Sequence, residues 1–325
     1  MGLTDLMDSG ANTPVRRRRR WLGCLPLLLL SLVAAVVVGM YLGHRNLLTI
    51  PLVEGCTAST PDGIVSLDVD QMDSASTISA VTVSRGLPER AATIALATAM
   101  QESKLVNLDS GDLDSVGLFQ QRPSEGWGTV AQISDPVYAT DSFLDRLVQI
   151  PGYVNLPLTV AAQDVQHSGY PDAYAQHETD ATVLSGALTG RVPAAVSCQV
   201  NSVGTAPAGS GAQLLEGRLV KEFGAIVHPK PVAAAPVSSS ASPGAVAPGP
   251  QVSVSAQSGV TGSVQRDWAV AQWAVAHCQD LHISAVQYAG RVWTAAASVK
   301  GWQPAPAGTA SGSSSGPVLI SVAVH

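Results

Sequence analysis

The sequence predicts a mainly α protein, with one helical domain over residues 66–198 behind a single transmembrane helix, followed by a linker and a small α+β module. Three observations predict it. Trp21 to Gly43 run without a charged side chain directly behind the basic run Arg16–Arg20, long enough for a hydrocarbon core that needs about 20 apolar residues. Glu89 to Lys104 reads Ala91, Ala92, Ile94, Ala95, Leu96, Ala97, Ala99, Met100 with only Thr93 and Thr98 between them, which is a helix apolar on nearly every face and therefore buried all round. Between residues 66 and 198, strand signals are scarce and Gly/Pro clusters cut the chain into helix-length pieces.

Taken in order, residues 1–20 form a cytoplasmic basic tail and residues 21–43 a retained signal anchor, because the apolar run is longer than the roughly 7–15 residues of a cleaved leader. The arginines orient it so that the chain after about residue 45 is extracytoplasmic, in a single-pass cell-membrane protein. Residues 46–65, with Pro51, Pro61 and Gly63 as breakers, read as a stalk. Asp68 opens a helix that ends near Gly86-Leu87-Pro88, and Pro88 starts the next, since proline is favoured at a helix start. Further helices are expected over 141–148, 158–167 and 173–188, set apart by Pro151-Gly152, Pro157 and Gly169-Tyr170-Pro171. Residues 199–262 read as a low-complexity linker with one short helix over 213–223. In the module 263–325, Trp268 and Trp273 have helical spacing, and 283–288, 291–295 and 318–324 alternate like strands.

The net charge is −6, and Arg16–Arg20 and Arg45 sit at the N-terminus, so the rest of the chain is more acidic still and is a poor nucleic-acid binder. Of four cysteines, Cys24 lies in the apolar run. Cys56 and Cys198 bracket the densely patterned region, and in an oxidising compartment a disulfide between them is the economical reading. The alternatives are that both are free or that Cys278 takes one of them.

Glu102 lies near the end of the buried helix. Desolvation and the negative end of the helix dipole both disfavour its carboxylate, so its pKa should rise, as in a glycosidase acid that protonates a leaving oxygen. The competing reading is a helix-terminal glutamate that simply reaches solvent. Downstream, Asp109, Asp112 and Asp114 crowd one loop. Asp114 is the best placed to serve as a second carboxylate, while turn formation by Asp/Ser/Gly explains the same residues. A calcium loop fits poorly, because Val116 and Pro123 stand where ligands belong.

Gln120 and Gln121 can donate and accept at once, as an N-acetyl amide requires. Trp127 lies between Gly126 and Gly128, which suits display of its ring to a sugar face, with core packing as the alternative. The seven histidines form no His-Glu-x-x-His, no cysteine pair has zinc spacing, and neither a Gly-x-Ser-x-Gly elbow nor a phosphate-binding Gly-rich loop occurs. No metal or cofactor is expected.

Glu102-Ser103 followed by Gly117-Leu118-Phe119-Gln120, with Tyr174 in a later segment over 161–174, resembles the motif series of soluble lytic transglycosylases and goose-type lysozymes. The stretch 111–123, with Gly126-Trp127-Gly128 and Asp135-Pro136-Val137-Tyr138, resembles a group of exported actinobacterial proteins with a lysozyme-like domain. The resemblance covers roughly residues 66–198. It implies a lysozyme-like fold that cuts peptidoglycan glycan strands, with Glu102 as the catalytic acid and Ser103, Gly117, Phe119, Gln120, Gln121, Trp127 and Tyr174 around the substrate. The pattern departs at Phe119, where the family has Met, and at Ala175, where an Asn should follow the tyrosine. The latter departure makes a non-catalytic wall-binding or scaffold protein the alternative function.

Overall fold

The computed structural model describes residues 53–232, 249–256, 263–306 and 316–324, together with Leu32, Val33 and Val36. The chain divides into two compact units, Met1–Pro51 and Leu52–His325.

The second unit begins with strands β1 (Gly55–Thr60) and β2 (Gly63–Leu67), an antiparallel hairpin whose turn is drawn in by the Asp62 amide donating to Thr60 Oγ1 at 3.1 Å. Strand β3 (Val196–Gln199) pairs with the other side of β1, giving the order β2-β1-β3. Cys56 stands directly opposite Cys198 in that ladder, and the two are joined by a disulfide. With 142 residues between its ends, the crosslink removes enough freedom from the unfolded chain to be worth roughly 5 kcal/mol on a chain-entropy estimate.

Between β2 and β3 lie the helices. α1 (Val69–Ser84) opens with Gln71 Oε1 accepting from the Asp68 amide, a reciprocal cap that satisfies one free donor of the first turn. α2 (Glu89–Ser103) follows Pro88 and buries every residue from Ala91 to Ala99. It ends where Lys104 and Leu105 turn left-handed. α3 (Val130–Ile133), α4 (Pro136–Leu147), α5 (Leu158–Gln166) and α6 (Glu178–Leu188) complete this part. The alanines of α2 let α6 and α1 pack close against it.

The rest of the chain overturns the expected fold class. α7 (Gly211–Phe223) is followed by β4 (Val227–Val232) and β5 (Gln251–Ala256), then by α8 (Ser263–Ala276), β6 (Ile283–Tyr288), β7 (Arg291–Thr294), β8 (Gln303–Pro304) and β9 (Val318–Val322). These strands form one antiparallel sheet in the order β4-β5-β9-β6-β7-β8. The protein is therefore mixed α/β with two antiparallel sheets rather than mainly α. The stalk expected over 46–65 holds β1 and enters β2, and the linker expected over 199–262 holds β3's last residue, β4 and β5. In β5, Val252 and Val254 are fully buried and alternate with Ser253 and Ser255, a period-2 pattern that the surrounding Pro/Ala/Ser/Gly composition hides. Pro229 and Pro231 fit within β4 because it is an edge strand, where missing N–H donors can face away from the ladder.

α8 seats this sheet on the helical part. Every residue from Asp267 to Ala276 is buried, and α8 packs on α1, α6 and β3 as well as on β5, β6 and β9. Gln272, fully buried, accepts from the Ala195 and Val196 amides at 2.5 and 3.0 Å and donates to the Ala187 and Val192 carbonyls at 2.6 and 3.2 Å. Trp302 Nε1 donates to the Val196 carbonyl at 2.7 Å. Residues 66–198 and the C-terminal strands thus share one core.

The transmembrane expectation is corrected as well. Among the described residues no helix is long and apolar enough to cross a membrane, so a single-pass anchor, and a cell-membrane location built on it, have no support. The longest described helix, α1, has 16 residues and carries Asp70 and Asp73, short of the about 20 apolar residues that a crossing takes. Apart from Leu32, Val33 and Val36, the run 21–43 on which that expectation rested, like the basic tail, lies outside the described residues.

Candidate functional site

The end of α2 is shaped by the loop that follows it. After the left-handed turn at Lys104, the chain runs out through Asp109 to Asp114 and returns beneath the helix. There Val116 and Gln121 exchange backbone hydrogen bonds of 3.0 and 3.1 Å. Ser103 ties helix to loop, its buried hydroxyl lying 2.7 Å from the Leu118 carbonyl and 3.1 Å from that of Ala99. Gly117 is required at the bend: its φ is +79°, and a β-carbon there would lie 2.6 Å from the Ile133 carbonyl oxygen. Gln71 of α1 caps the helix from outside, donating to the Lys104 carbonyl at 2.9 Å.

Glu102 sits on this end. Its Oε1 accepts a hydrogen bond of 2.7 Å from the hydroxyl of Tyr174, which the turn Pro171–His177 delivers fully buried against the helix. Burial pushes the Glu102 carboxyl up from its ordinary value, and the hydrogen bonds from Tyr174 and then Gln166 offset only part of that. Burial, and then the contact with Glu102, likewise keep the Tyr174 phenol protonated well above its usual range. The pair is a neutral donor hydrogen-bonded to a carboxyl whose protonated form burial favours.

Glu102 opens onto a cleft of about 360 Å³ whose walls include Asp112, Gln120, Glu125, Trp127 and His167. Gln120 is held in a left-handed conformation, φ +48°. Its Nε2 donates to the Gly117 carbonyl at 3.0 Å and its Oε1 accepts from Ser115 at 3.1 Å. Trp127 lines the cleft but is only 5% exposed, so most of its ring is packed rather than displayed. The Arg146 guanidinium lies 3.3 Å from the ring centroid, a cation–π contact that supports it.

Other residues named from the sequence fall elsewhere. Phe119 is fully buried, its ring 4.8 Å from that of Phe143 in a stacked pair, and so faces the core. Gln121 is buried as well, donating to the Ala139 carbonyl at 3.0 Å. Tyr170, 79% exposed, is not part of the cleft wall. Asp114 also stands outside it: its carboxylate accepts from Arg122 Nε at 2.9 Å, from the Ser124 amide at 2.9 Å and from Ser124 Oγ at 3.0 Å. The Arg122 hydrogen bond first, and then the Ser124 amide, hold Asp114 down at about 2. Its role in this geometry is to brace the loop. Arg122 also reaches Glu125 at 2.6 Å.

Sequence reasoning missed Gln166, His167 and Ser168. They line the cleft too, and Gln166 Nε2 donates to the Phe119 carbonyl at 2.8 Å. The available signal was the end of α5 just before Gly169-Tyr170-Pro171, which turns these side chains back toward the helix end bearing Glu102. No protein-family model and no curated protein sequence matches this chain.

Proposed function

We propose that the protein cuts the glycan strand of peptidoglycan, as a lytic transglycosylase or lysozyme-like enzyme with Glu102 as its general acid. The observation that carries this reading is the Glu102 carboxyl itself: raised by burial, held by Tyr174, and open to a cleft with Gln120 and Trp127 on its walls. A carboxylic acid that holds its proton to higher pH than usual can deliver it to a glycosidic oxygen as the bond to C1 breaks. The motif series around Glu102-Ser103 and Gly117-Leu118-Phe119-Gln120 supports the same substrate class.

Glu102 then works alone. Once deprotonated, it takes the proton of the sugar's own C6 hydroxyl, whose oxygen closes on C1 and gives an internal anhydro ring with no water consumed. Asp114, tied to Arg122 and Ser124, is poorly placed to activate a water. The second reading, a wall-binding protein without turnover, draws on Ala175, which exposes only a methyl group beside Tyr174.

Digestion of purified peptidoglycan with products read by mass tests both. Anhydro-muropeptides, lighter by one water than hydrolytic products, are expected, and Glu102→Gln should abolish them. Binding without any cleavage would favour the second reading, and reducing ends alone would favour hydrolysis.

A further inference from the structure

An ion cluster with a buried centre and an exposed edge lies where α1, α7 and α8 meet, apart from the cleft. Asp73 and Ser76 come from α1, Arg218 and Glu222 from α7, Trp273 and His277 from α8 and the turn that ends it, and Asp280 from just beyond. The side chains of His277 and Glu222 have no exposure. His277 Nδ1 lies 2.6 Å from Asp73 Oδ2, while its Nε2 lies 2.9 Å from Ser76 Oγ and 3.5 Å from Glu222 Oε2. Glu222 is held further by Arg218 Nε and by Trp273 Nε1 at 2.7 Å. Arg218 Nη2 stands 3.6 Å from Asp73 and 3.8 Å from Asp280.

Two familiar chemistries fail here. Ser76, His277 and Asp73 have the contacts of a nucleophile, base and orienting acid, but an imidazole between two carboxylates holds both its protons and can accept none, and no substrate reaches a serine that is 1% exposed. Asp73, His277 and Asp280 bring ligand-type atoms within 4.8 Å of one another, but the Arg218 guanidinium already supplies the positive charge between the two aspartates. What remains is a charge network whose parts come from three packed helices.

We propose that His277 is a proton-operated latch that holds α8, and with it the six-stranded sheet, on α1 and α7, and that it releases in alkaline solution. Protonated, the ring donates from both nitrogens, to Asp73 on one side and toward Ser76 and Glu222 on the other. Losing a proton removes one of those donors and leaves Arg218 as the one positive charge facing Asp73 and the fully buried Glu222. Burial by itself would push His277 down, but the charges of Asp73 and Glu222 outweigh it and carry it up to about 9. Because that lies above the ordinary value of 6.5, the stabilisation is complete below about 6.5 and disappears as the pH climbs through about 9.

Asp70 and Asp280 line the outer pocket against this cluster. Cys278, beside His277 in the chain, is pushed up to about 12 by burial, and Tyr288 behind α8 is raised by burial too. The thiol and that phenol therefore stay neutral while the imidazole titrates.

The test uses the full chain and does not depend on glycan cleavage. The imidazole resonance of His277, assigned by its disappearance in His277→Gln, is followed by NMR against pH, and amide hydrogen exchange of α8 is compared at pH 7 and pH 10 after correction for intrinsic rates. The resonance should titrate above pH 8. Protection of α8 should fall at least tenfold at pH 10, while the disulfide-linked pair β1–β3 keeps its protection. In His277→Gln, α8 should be weakly protected at both pH values. A titration below pH 7, or equal protection of wild-type α8 at both pH values, overturns the proposal. The hydrogen-exchange comparison is made on the wild type alone, so it decides the proposal even if the variant does not fold.

Discussion

Glu102 and His277 are both pushed above their ordinary pKa values, by opposite routes. For Glu102 burial does the pushing and its hydrogen bonds resist. For His277 burial resists, and two carboxylates overcome it. The first group is left short of partners for its charge and opens on a cleft; the second has its charge matched on both sides and is sealed. A raised pKa alone therefore does not mark a reactive group. What separates the two is the balance: burial outweighs the partners of Glu102, whereas the charges of Asp73 and Glu222 outweigh burial at His277.

The largest expected effects come from removing each group's defining chemistry. Glu102→Gln should lower glycan cleavage by at least about a thousandfold, since it removes the proton donor and keeps the volume. It should also stabilise the fold at pH 7. A buried carboxyl with a raised pKa costs nothing below about 4.5, the ordinary value, and its cost grows as the pH rises through the folded value. The gain in melting temperature should therefore vanish near pH 4, and an unchanged melting temperature at pH 7 would contradict the assigned burial. Glu222→Ala should do the reverse, leaving activity per folded molecule unchanged while costing about 3–5 kcal/mol of stability, because it removes the buried carboxylate that faces both His277 and Arg218 and leaves the fully buried His277 with Asp73 alone as its counter-charge. Glu222 is raised by burial, but the charges of His277 and Arg218 outweigh that and bring it down to about 2. Its contribution is thus present above about 4.5 and should fade only in strong acid. Urea melts at pH 7 and pH 3 check both points.

A middle-sized effect is expected at Tyr174. Tyr174→Phe removes the 2.7 Å hydrogen bond to Glu102, which favours the carboxylate. The Glu102 pKa should therefore rise further, moving the alkaline limb of the cleavage profile to higher pH while the rate falls about tenfold from looser positioning. An alkaline limb that does not move would mean that Glu102 is not the titrating acid.

Helices were more legible in this sequence than strands, for a physical reason. α2 announces itself because its alanines and apolar residues leave no polar face and Pro88 marks its start. Cys56 and Cys198 announced their pairing because they flank the patterned region, although the strands that align them were not recognised. β4 and β5 were hidden by composition: Pro229 and Pro231 fall in the segment read as a low-complexity linker, and the buried valines of β5 are separated by serines in a stretch rich in Pro, Ala and Gly. What makes them strands is non-local, namely α8 covering one face and β9 pairing with β5. Within the candidate site, the raised pKa of Glu102 was legible from its place on a buried helix. The inward turn of Phe119 and Gln121 was not, because it depends on Phe143 and Ala139 of α4, which no local spacing reveals. The ion cluster was invisible for the same reason, since Asp73 and His277 are 204 residues apart.

The smallest expected effect distinguishes one carboxyl from two. If Asp114 served as a base opposite Glu102, Asp114→Asn would remove water activation and cost a large factor in rate, as loss of either member of a glycosidase pair does. Asp114 instead accepts from Arg122 and Ser124 outside the cleft wall, so its charge serves the loop and not the sugar. Asparagine at this position keeps an acceptor for the Ser124 amide and gives up only a charge pair at the surface, which contributes little in water and is screened by salt. Cleavage by Asp114→Asn should therefore stay within about twofold of wild type, with the same anhydro product. Arg122 keeps Glu125, so the wall of the cleft should hold its shape. A loss of a hundredfold or more, with reducing ends appearing in place of anhydro sugar in the wild type, would move Asp114 into the chemistry and turn the single-acid reading into a two-carboxylate hydrolase.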